Sequence, residues 1–176
     1  MSPITQWDFS VLEALQACRT PFLDKFFAAV THLGDHGAFW IVLAAALLCI
    51  PKTRRLGLCV ALALLLNGLS CNLLLKPLIA RPRPFALREI ALLIAAPKDY
   101  SFPSGHTSAA FAAASALAWS RSRLAVPACV LAAILAFSRL YLYVHYPTDV
   151  LGGILLGCLC GLGGWLICRR ILPKKE

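Results

Sequence analysis

Two residues near the end of the chain have the types and the spacing of a catalytic pair. His145 and Asp149 lie four residues apart in the stretch SRLYLYVHYPTD, in which Pro147 marks the start of a helix. Asp149 can then reach one ring nitrogen of the histidine and leave the other free to attack or to take a proton. Arg139 lies in the same stretch, inside an apolar segment where an arginine is costly unless it is paired or faces a water-filled cavity. Taken alone, the aspartate could also serve only the dipole of the helix N-terminus.

A second histidine lies where another apolar segment begins, in SFPSGHTSAA (residues 101–110). A helix that starts there presents free backbone amides and the positive end of its dipole, and both favour an anion. Gly105 lets the backbone approach a ligand closely, and His106 can give or take a proton beside it. Ser104 either caps the helix or donates to a phosphate oxygen. The stretch is therefore suited to holding a phosphate group.

The third group is the basic, proline-rich run KPLIARPRP, which contains Lys76, Arg81 and Arg83. Each arginine precedes a proline, which keeps the backbone extended and fixes the cations in a loop. The planar guanidinium fork matches phosphate oxygens, and the lysine adds a point charge. A basic loop of this kind would by itself be only a loop. Together, however, the two histidines, one carboxylate and several cations of the three groups predict a phosphate-transfer site.

The elements that carry these groups are predicted to be membrane helices. Of the 176 residues, 60% are hydrophobic and only 14% are charged, and the mean hydropathy is +0.75. Residues 56–75 and 150–168 contain no charged side chain, and each run is long enough to cross a hydrocarbon core of about 30 Å. In lipid the backbone must satisfy its own hydrogen bonds, which favours helices. The composition excludes an ordinary soluble domain, since about a quarter of such a domain is charged.

We therefore predict an all-α fold, an integral membrane helical bundle that forms a single domain over residues 1–176. Segment 1–19 is predicted to lie in the membrane interface as a helix, with Asp8 and Glu13 on its polar face. The transmembrane core is predicted over 20–170, with about six transmembrane helices. The predicted spans are 20–33, 37–50, 56–75, 105–120, 124–143 and 149–168.

The basic clusters predict how the bundle is oriented. PKTRR (51–55), RSR (121–123) and the C-terminal cluster (169–175) lie at alternate ends of the spans, so they mark the cytoplasmic side. Segments 76–106 and 143–149 then face away from the cytoplasm of a multi-pass plasma-membrane protein. Their cations lie where the positive-inside rule disfavours them, which indicates an anionic ligand. The net charge of +9 is thus explained without nucleic acid as a partner.

Taken together, the three groups resemble the three-part signature of the type-2 phosphatidic acid phosphatase superfamily. This superfamily includes lipid phosphatases, glucose-6-phosphatase and vanadium haloperoxidases. The chain is most similar to the short bacterial members that act on undecaprenyl pyrophosphate or phosphatidylglycerophosphate, and the resemblance covers about residues 20 to 170. The positions that match are Lys76-x6-Arg83-Pro84, Pro103-Ser104-Gly105-His106 and Ser138-Arg139-x5-His145-x3-Asp149.

The resemblance implies a covalent mechanism. His145 would attack phosphorus and form a phosphohistidine, while Asp149 fixes the ring tautomer and stabilises its positive charge. His106 would protonate the leaving oxygen and then activate water. Donors from all three motifs would hold the phosphate oxygens, namely Lys76, Arg83, Ser104, the Gly105 amide and Arg139, with Arg81 as a further neighbour.

The substrate that the resemblance implies is a lipid phosphate, taken from among the membrane lipids and handled without a metal or another cofactor. One catalytic carboxylate without an acidic cluster also disfavours Mg²⁺. The leading interpretation is a phosphatase acting on undecaprenyl pyrophosphate, with phosphatidylglycerophosphate and phosphatidic acid as further substrates. The alternatives are a translocase of a phosphorylated lipid carrier, which needs no nucleophile, and a lipid phosphotransferase, which uses an acceptor other than water. The sequence leaves the oligomeric state and the lipid tail open.

Overall fold

The structure is a computed structural model, and it describes residues 2–172. Every regular element in that range is helical, which confirms the predicted all-α fold. A 3₁₀ helix (His32–Gly37) joins α2 to α3, and a π-helical stretch (Leu69–Leu75) joins α4 to α5. The α-helices are α1 (Pro3–Ala17), α2 (Pro21–Thr31), α3 (Ala38–Cys49), α4 (Arg54–Gly68), α5 (Lys76–Ile79), α6 (Pro84–Leu87), α7 (Gly105–Trp119), α8 (Ala125–Tyr141) and α9 (Pro147–Ile171).

Three helical stretches are long and apolar enough to cross a membrane, and α8 is a shorter apolar helix. The stretches are Pro21–Cys49, Arg54–Leu87 and Pro147–Ile171. The first of them bends between α2 and α3, where the backbone leaves the helical conformation. Each predicted span coincides with a helix, but the number of six spans stays a prediction, as does the interfacial position of segment 1–19. Residues 173–175 of the predicted C-terminal basic cluster lie outside the described residues.

The centre of the bundle is occupied by α7, which packs against α4, α8 and α9. The helix is rich in alanine, and its side chains at Ala110 and Leu117 are fully buried. Glycines of α9 let its backbone lie close to α7. A Cβ at Gly157 would come within 2.5 Å of the carbonyl oxygen of Ser108. Small residues on both helices therefore bring the two backbones together, as is common between membrane helices.

Helix α1 packs against the loop between α8 and α9. Its Phe9 and Leu12 are buried in one cluster with Tyr143. Glu13 is exposed, as predicted, but Asp8 is completely buried. The predicted place of Asp8 on a polar face is therefore wrong. The physical reason is a salt bridge with a distant cation, which the periodicity of α1 cannot reveal.

The elements that carry the three polar groups end on the same side of the bundle. After α5 the chain turns at Ala80, which has a left-handed conformation (φ 46°). Residues 88–104 then lead to the N-terminus of α7, and residues 142–146 lead from α8 to α9. The 3₁₀ helix lies against α7 as well. Helix ends and the loops at 88–104 and 142–146 thus supply most of the polar groups around the site.

Candidate active site

One cavity of about 690 Å³ lies where the three motifs meet. Among the residues that line it are both predicted histidines and most of the predicted phosphate-binding residues, namely Lys76, Arg83, Gly105, His106, Arg139 and His145. The other two predicted site residues, Ser104 and Asp149, are fully buried and do not line the cavity. Residues that are far apart in the sequence therefore meet as the motifs predict.

Asp149 lies beside the ring of His145, as the spacing of the two residues predicts. Its Oδ2 atom is 3.4 Å from Nδ1 of the histidine. At that distance the contact is electrostatic, and Nδ1 has no hydrogen-bond partner among residues 2–172. The carboxylate itself is held by the backbone amide of Tyr146, which donates to Oδ2 at 2.9 Å, and by the hydroxyl of Ser101. Asp149 is thus fixed in place without depending on the histidine.

The contact on the other ring nitrogen decides the tautomer of His145. Nη1 of Arg83 lies 3.2 Å from Nε2, and a guanidinium can only donate. Nε2 must then accept, which places the ring proton on Nδ1, towards Asp149. Burial lowers the pKa of His145 and, together with the charge of Arg83, outweighs Asp149, which raises it. The ring is therefore neutral at physiological pH. Its Nε2 lone pair accepts from Arg83 here, and it becomes a nucleophile when that hydrogen bond is released.

Arg139 reaches the cavity from the last turn of α8 and is only 2% exposed. Its Nη1 donates to the hydroxyl of Thr31. Its Nε is buried and has no hydrogen-bond partner in the described part of the chain. An unpaired buried donor is costly, and an anion in the cavity would satisfy it. This environment fits the predicted role of Arg139 in holding phosphate.

Lys76 and Arg83 hold a carboxylate that the sequence interpretation missed. Asp99 forms an ion pair with Nζ of Lys76 and accepts a hydrogen bond from Nη2 of Arg83 at 2.6 Å. Burial alone would raise the pKa of Asp99, but the two cations outweigh it and hold the pKa well below its usual range. A carboxylate matches a guanidinium as a phosphate does, so a phosphate that uses both cations must displace Asp99. The available signal was that Asp99 and Glu89 are the only acids in segment 76–106.

Asp99→Asn is expected to tighten inhibition by inorganic phosphate by about tenfold, because hydrogen bonds to charged groups each contribute roughly 1.5–3 kcal/mol and the internal competitor is removed. The measurement is the inhibition constant of phosphate in a turnover assay. Glu89→Gln removes an exposed acid of the same segment and should leave that constant unchanged. Weaker phosphate binding in Asp99→Asn would contradict the competition and would mean that the carboxylate assembles the two cations.

His106 lies in the first turn of α7 and faces the 3₁₀ helix. Its Nε2 is 3.0 Å from Oδ1 of Asp35. The ring packs directly on Gly34, where an added Cβ would come within 2.5 Å of ring atom Cδ2. The sequence interpretation did not include Asp35, and its only signal was an acid in the glycine-flanked turn GDHG. Each of the two site histidines therefore has a carboxylate neighbour.

The N-terminus of α7 meets the cavity through its backbone. A Cβ at Gly105 would lie 3.5 Å from Nζ of Lys76, so the glycine keeps the space beside that cation open. The Ser104 hydroxyl accepts a hydrogen bond from Thr107 at 2.9 Å and makes no capping bond to the helix. Of its two predicted roles, capping is therefore wrong. The other, donation to phosphate, stays a prediction that requires the buried hydroxyl to reach the cavity.

Arg81 supports Asp149 and does not line the cavity, so its predicted place beside the phosphate is wrong. Its Nη1 donates to Oδ1 of Asp149 at 2.6 Å, and its Nη2 donates to Oδ2 of Asp8 at 2.7 Å. Asp8 also accepts from the amide of Thr148 at 3.0 Å. The guanidinium carbon lies 3.9 Å from the centre of the Tyr146 ring. Two carboxylates on one side of the loop draw Arg81 away from the cavity and link α1 to Asp149.

The positive charge of the cavity comes from side chains. Three motif cations line it, Lys76, Arg83 and Arg139, together with Lys98 from the loop before α7. Within residues 2–172, no group of three or more His, Cys, Asp or Glu side chains is placed to hold a metal ion. Phosphoryl transfer needs a positioned nucleophile and positive charge around the equatorial oxygens. The neutral ring of His145 and the three cations meet those needs, and His106 can supply or accept the proton.

Comparisons with known proteins find similarity to phosphatases. The family model of the PAP2 superfamily matches residues 52–172. The chain is 38% identical over 157 residues to decaprenylphosphoryl-5-phosphoribose phosphatase of Mycolicibacterium smegmatis, covering 87% of this chain and 84% of that protein. It is 34% identical over 94 residues to undecaprenyl-diphosphatase BcrC of Bacillus subtilis, covering 53% of this chain and 49% of that protein. The crystal structure of a transmembrane PAP2-type phosphatidylglycerolphosphate phosphatase from Bacillus subtilis superposes with a TM-score of 0.80 at 28% identity, covering 99% of this chain and 90% of that one.

Proposed function

The chain belongs to the PAP2 superfamily, and from that premise we propose that it removes the terminal phosphate of a polyprenyl-linked lipid through a phosphohistidine intermediate. It is a membrane lipid phosphatase, as its relatives are. The observation that carries the proposal is the state of His145. Its Nε2 accepts from Arg83, its proton faces Asp149, and the ring lines a cavity with the three motif cations and Lys98.

In the first step, Nη1 of Arg83 transfers its hydrogen bond from Nε2 of His145 to a phosphate oxygen, and Nε2 attacks phosphorus. The P–N bond forms as the bond from phosphorus to the leaving oxygen breaks. His106 donates a proton to that oxygen, so the lipid leaves as a neutral hydroxyl or as a protonated phosphate. Asp149 remains ionised and stabilises the positive charge that develops on the attacking ring.

The second step regenerates the enzyme. His106, now neutral, takes a proton from a water molecule, and the water oxygen attacks phosphorus. The P–N bond breaks, and the electron pair returns to Nε2 of His145. Inorganic phosphate is released, and His106 is again protonated for the next cycle.

The cations stabilise both transition states. Lys76, Arg83 and Arg139 would contact the equatorial oxygens as negative charge spreads over them, with the Gly105 amide at the helix N-terminus. Substrate binding replaces Asp99 with phosphate on two of these cations. Since side chains supply the charge that a metal ion supplies in other phosphatases, we include metal independence in the proposal.

Two polyprenyl substrates are each supported by a different observation. The similarity to an undecaprenyl-diphosphatase supports undecaprenyl pyrophosphate. The relative that matches more of the chain is named for decaprenylphosphoryl-5-phosphoribose, which carries a sugar between its phosphates. The cavity favours this second type, because its volume of about 690 Å³ and its polar side chains at His32, Asn67 and Asn72 offer room and hydrogen bonds for a sugar.

The test is phosphate release from a panel of lipids in detergent. The panel contains undecaprenyl pyrophosphate, decaprenylphosphoryl-5-phosphoribose, phosphatidylglycerophosphate and phosphatidic acid. We expect the two polyprenyl substrates to have the highest kcat/KM. A preference for either glycerophospholipid would contradict the proposed tail. Dephosphorylated lipid in excess of free phosphate would instead indicate transfer to an acceptor other than water.

Activity is expected to survive chelation with EDTA. The physical reason is that Lys76, Arg83 and Arg139 provide the positive charge needed in the transition state. The measurement compares turnover on the best panel lipid before and after EDTA, with Mg²⁺ added back as a control. Loss of activity in EDTA that Mg²⁺ restores would overturn metal independence and the mechanism above.

The site is expected to face away from the cytoplasm of the plasma membrane, because the basic clusters at 51–55 and 121–123 mark the other side. Lys98 is exposed in the loop before α7, so Lys98→Cys in a background without the eight native cysteines tests the orientation. An impermeant thiol reagent should label it from outside intact cells. Arg123→Cys is the matched control at the opposite end and should be labelled only after the cells are opened. The reverse pattern would invert the topology.

A further inference from the structure

We infer that Asp35 is a positioning residue for His106. Its carboxylate fixes the ring tautomer, so that Nδ1 and not Nε2 exchanges the proton with the leaving oxygen and with water. The inference rests on the proposed function, in which His106 is the general acid and base. It adds a second carboxylate–histidine pair to the site, contributed by the turn between α2 and α3.

The contact that carries the inference is direct. Oδ1 of Asp35 lies 3.0 Å from Nε2 of His106. An ionised carboxylate only accepts hydrogen bonds, so Nε2 must carry a proton in both states of the ring. Nδ1 is then the nitrogen that gains and loses the exchangeable proton. A carboxylate partner of this kind orients an imidazole and stabilises its protonated form, as in other catalytic pairs.

Asp35 is itself held from the other side. Its Oδ2 lies 2.7 Å from Nδ1 of His32, so one carboxylate bridges two imidazoles. The backbone leaves the helical conformation at Asp35 (ψ 125°) and at His36 (φ 53°). A positive φ is uncommon for a residue other than glycine, and such conformations cluster at functional sites. The bend turns Asp35 towards α7 and away from the axis of α2.

The ring of His106 has little freedom on this side. It packs on Gly34, where a Cβ would approach its Cδ2 atom to 2.5 Å. Lys76 and Arg139 line the same cavity, and their positive charges oppose a protonated ring. Asp35 supplies negative charge that counters part of this repulsion when His106 holds its second proton. The 3₁₀ helix that carries Asp35 precedes residues 52–172, so the family match and the three motifs assign it no role.

Asp35→Asn is expected to lower kcat on a lipid monophosphate by about 10–100-fold with KM unchanged, a smaller loss than the roughly 10²–10⁴-fold that removal of a general acid or base causes. Formation of the phosphoenzyme from p-nitrophenyl phosphate should change little, because that leaving group needs no proton. Asp35→Glu should recover part of the activity. Glu89→Gln, which removes an exposed acid elsewhere, should behave as the unchanged protein. A higher KM would overturn the inference. So would phosphoenzyme formation that slows equally with both substrates.

A double-mutant cycle tests whether Asp35 acts through the histidine. In the His106→Ala background, Asp35→Asn should cause no further loss, because its effect has no ring left to act on. If the activity loss of the double variant equals the product of the two single losses, Asp35 acts independently of His106, and the inference is overturned. A control cycle that pairs His106→Ala with Glu89→Gln should show no coupling energy between the two substitutions.

Gly34→Ala provides a second variant if Asp35→Asn does not fold. The added methyl group should displace the ring and give the same dependence on the leaving group, while thermal unfolding reports whether the fold is intact. A folded Gly34→Ala variant with unchanged turnover of the lipid monophosphate would count against the inference. If the unchanged protein releases no phosphate from any panel lipid, the proposed function fails. If the unchanged protein is active but the double-mutant cycle shows that Asp35 and His106 act independently, only the role of Asp35 fails.

Discussion

Replacing His145 by alanine is expected to reduce phosphate release to background with every substrate. The variant loses the atom that forms the P–N bond, and the side chains that remain hold phosphate without attacking it. In enzymes with a covalent nucleophile, loss of that residue can lower kcat by roughly 10⁶-fold. The measurement is kcat/KM with the best panel lipid and with p-nitrophenyl phosphate. The loss of activity should be the same for both substrates, because neither can form the P–N bond, whatever its leaving group.

The control for this variant is His36→Asn, because asparagine tolerates the positive φ of this residue, which the bend beside Asp35 requires. His36 lines the same cavity, but the mechanism gives it no role. It should retain nearly full turnover and should still form a phosphoprotein that survives a base quench and is lost in acid, as a P–N bond requires. Turnover that survives in His145→Ala would mean that water attacks the substrate directly. Lipid binding without any phosphate release in the unchanged protein would instead favour the translocase alternative.

The residues of the site that sequence could predict are those fixed by local geometry. His145 and Asp149 face each other because Pro147 starts α9 between them and the four-residue spacing brings one over the other. Gly105 lies beside Lys76 because a helix must begin at the end of SFPSGH and present its backbone there. The all-α fold follows in the same way from long apolar runs, since the bilayer allows helices and excludes open sheets.

The residues that sequence could not predict depend on contacts across the chain. Arg81 and Arg83 share one basic loop and the same chemistry, yet Arg83 faces the cavity and Arg81 faces Asp149 and Asp8. Carboxylates from α1 and α9 decide the direction of Arg81, and Asp99 from the loop before α7 holds Arg83. The periodicity of α1 places Asp8 on a polar face, and only the assembled bundle provides the cation that allows it to be buried.

The sequence interpretation also missed two acidic residues that lie outside the α-helices. Asp99 and Asp35 are unremarkable in sequence, because an acid in a polar loop is normally solvated. In the structure each contacts a motif residue, Asp99 through Lys76 and Arg83, and Asp35 through His106. A search of the sequence restricted to the motifs finds the groups that touch phosphate. It does not find the carboxylates that compete with phosphate or orient the acid.

Replacing His106 by alanine is expected to separate the two chemical steps. A lipid monophosphate leaves as an alkoxide and needs a proton, so phosphoenzyme formation should slow by about 10²–10⁴-fold, the range typical of general acid catalysis. p-Nitrophenyl phosphate leaves as a weak base, so its phosphoenzyme should form at nearly the normal rate. Hydrolysis of the intermediate should still be slow, because water has lost its base. The variant should therefore accumulate phosphohistidine with the good leaving group.

The measurement is base-quench trapping of labelled enzyme with these two substrates, alongside steady-state turnover, because the P–N bond of phosphohistidine survives base and is hydrolysed in acid. Phosphoenzyme trapped in His106→Ala and absent in His145→Ala would agree with the assigned roles. The opposite pattern would mean that the roles of the two histidines are exchanged. Asp35 would then orient the nucleophile, because it contacts His106. If His106→Ala slows phosphoenzyme formation equally with both substrates, the proton does not reach the leaving oxygen through this ring. The polar contact between Asp35 and His106 would in that case serve only to hold the turn between α2 and α3 against α7.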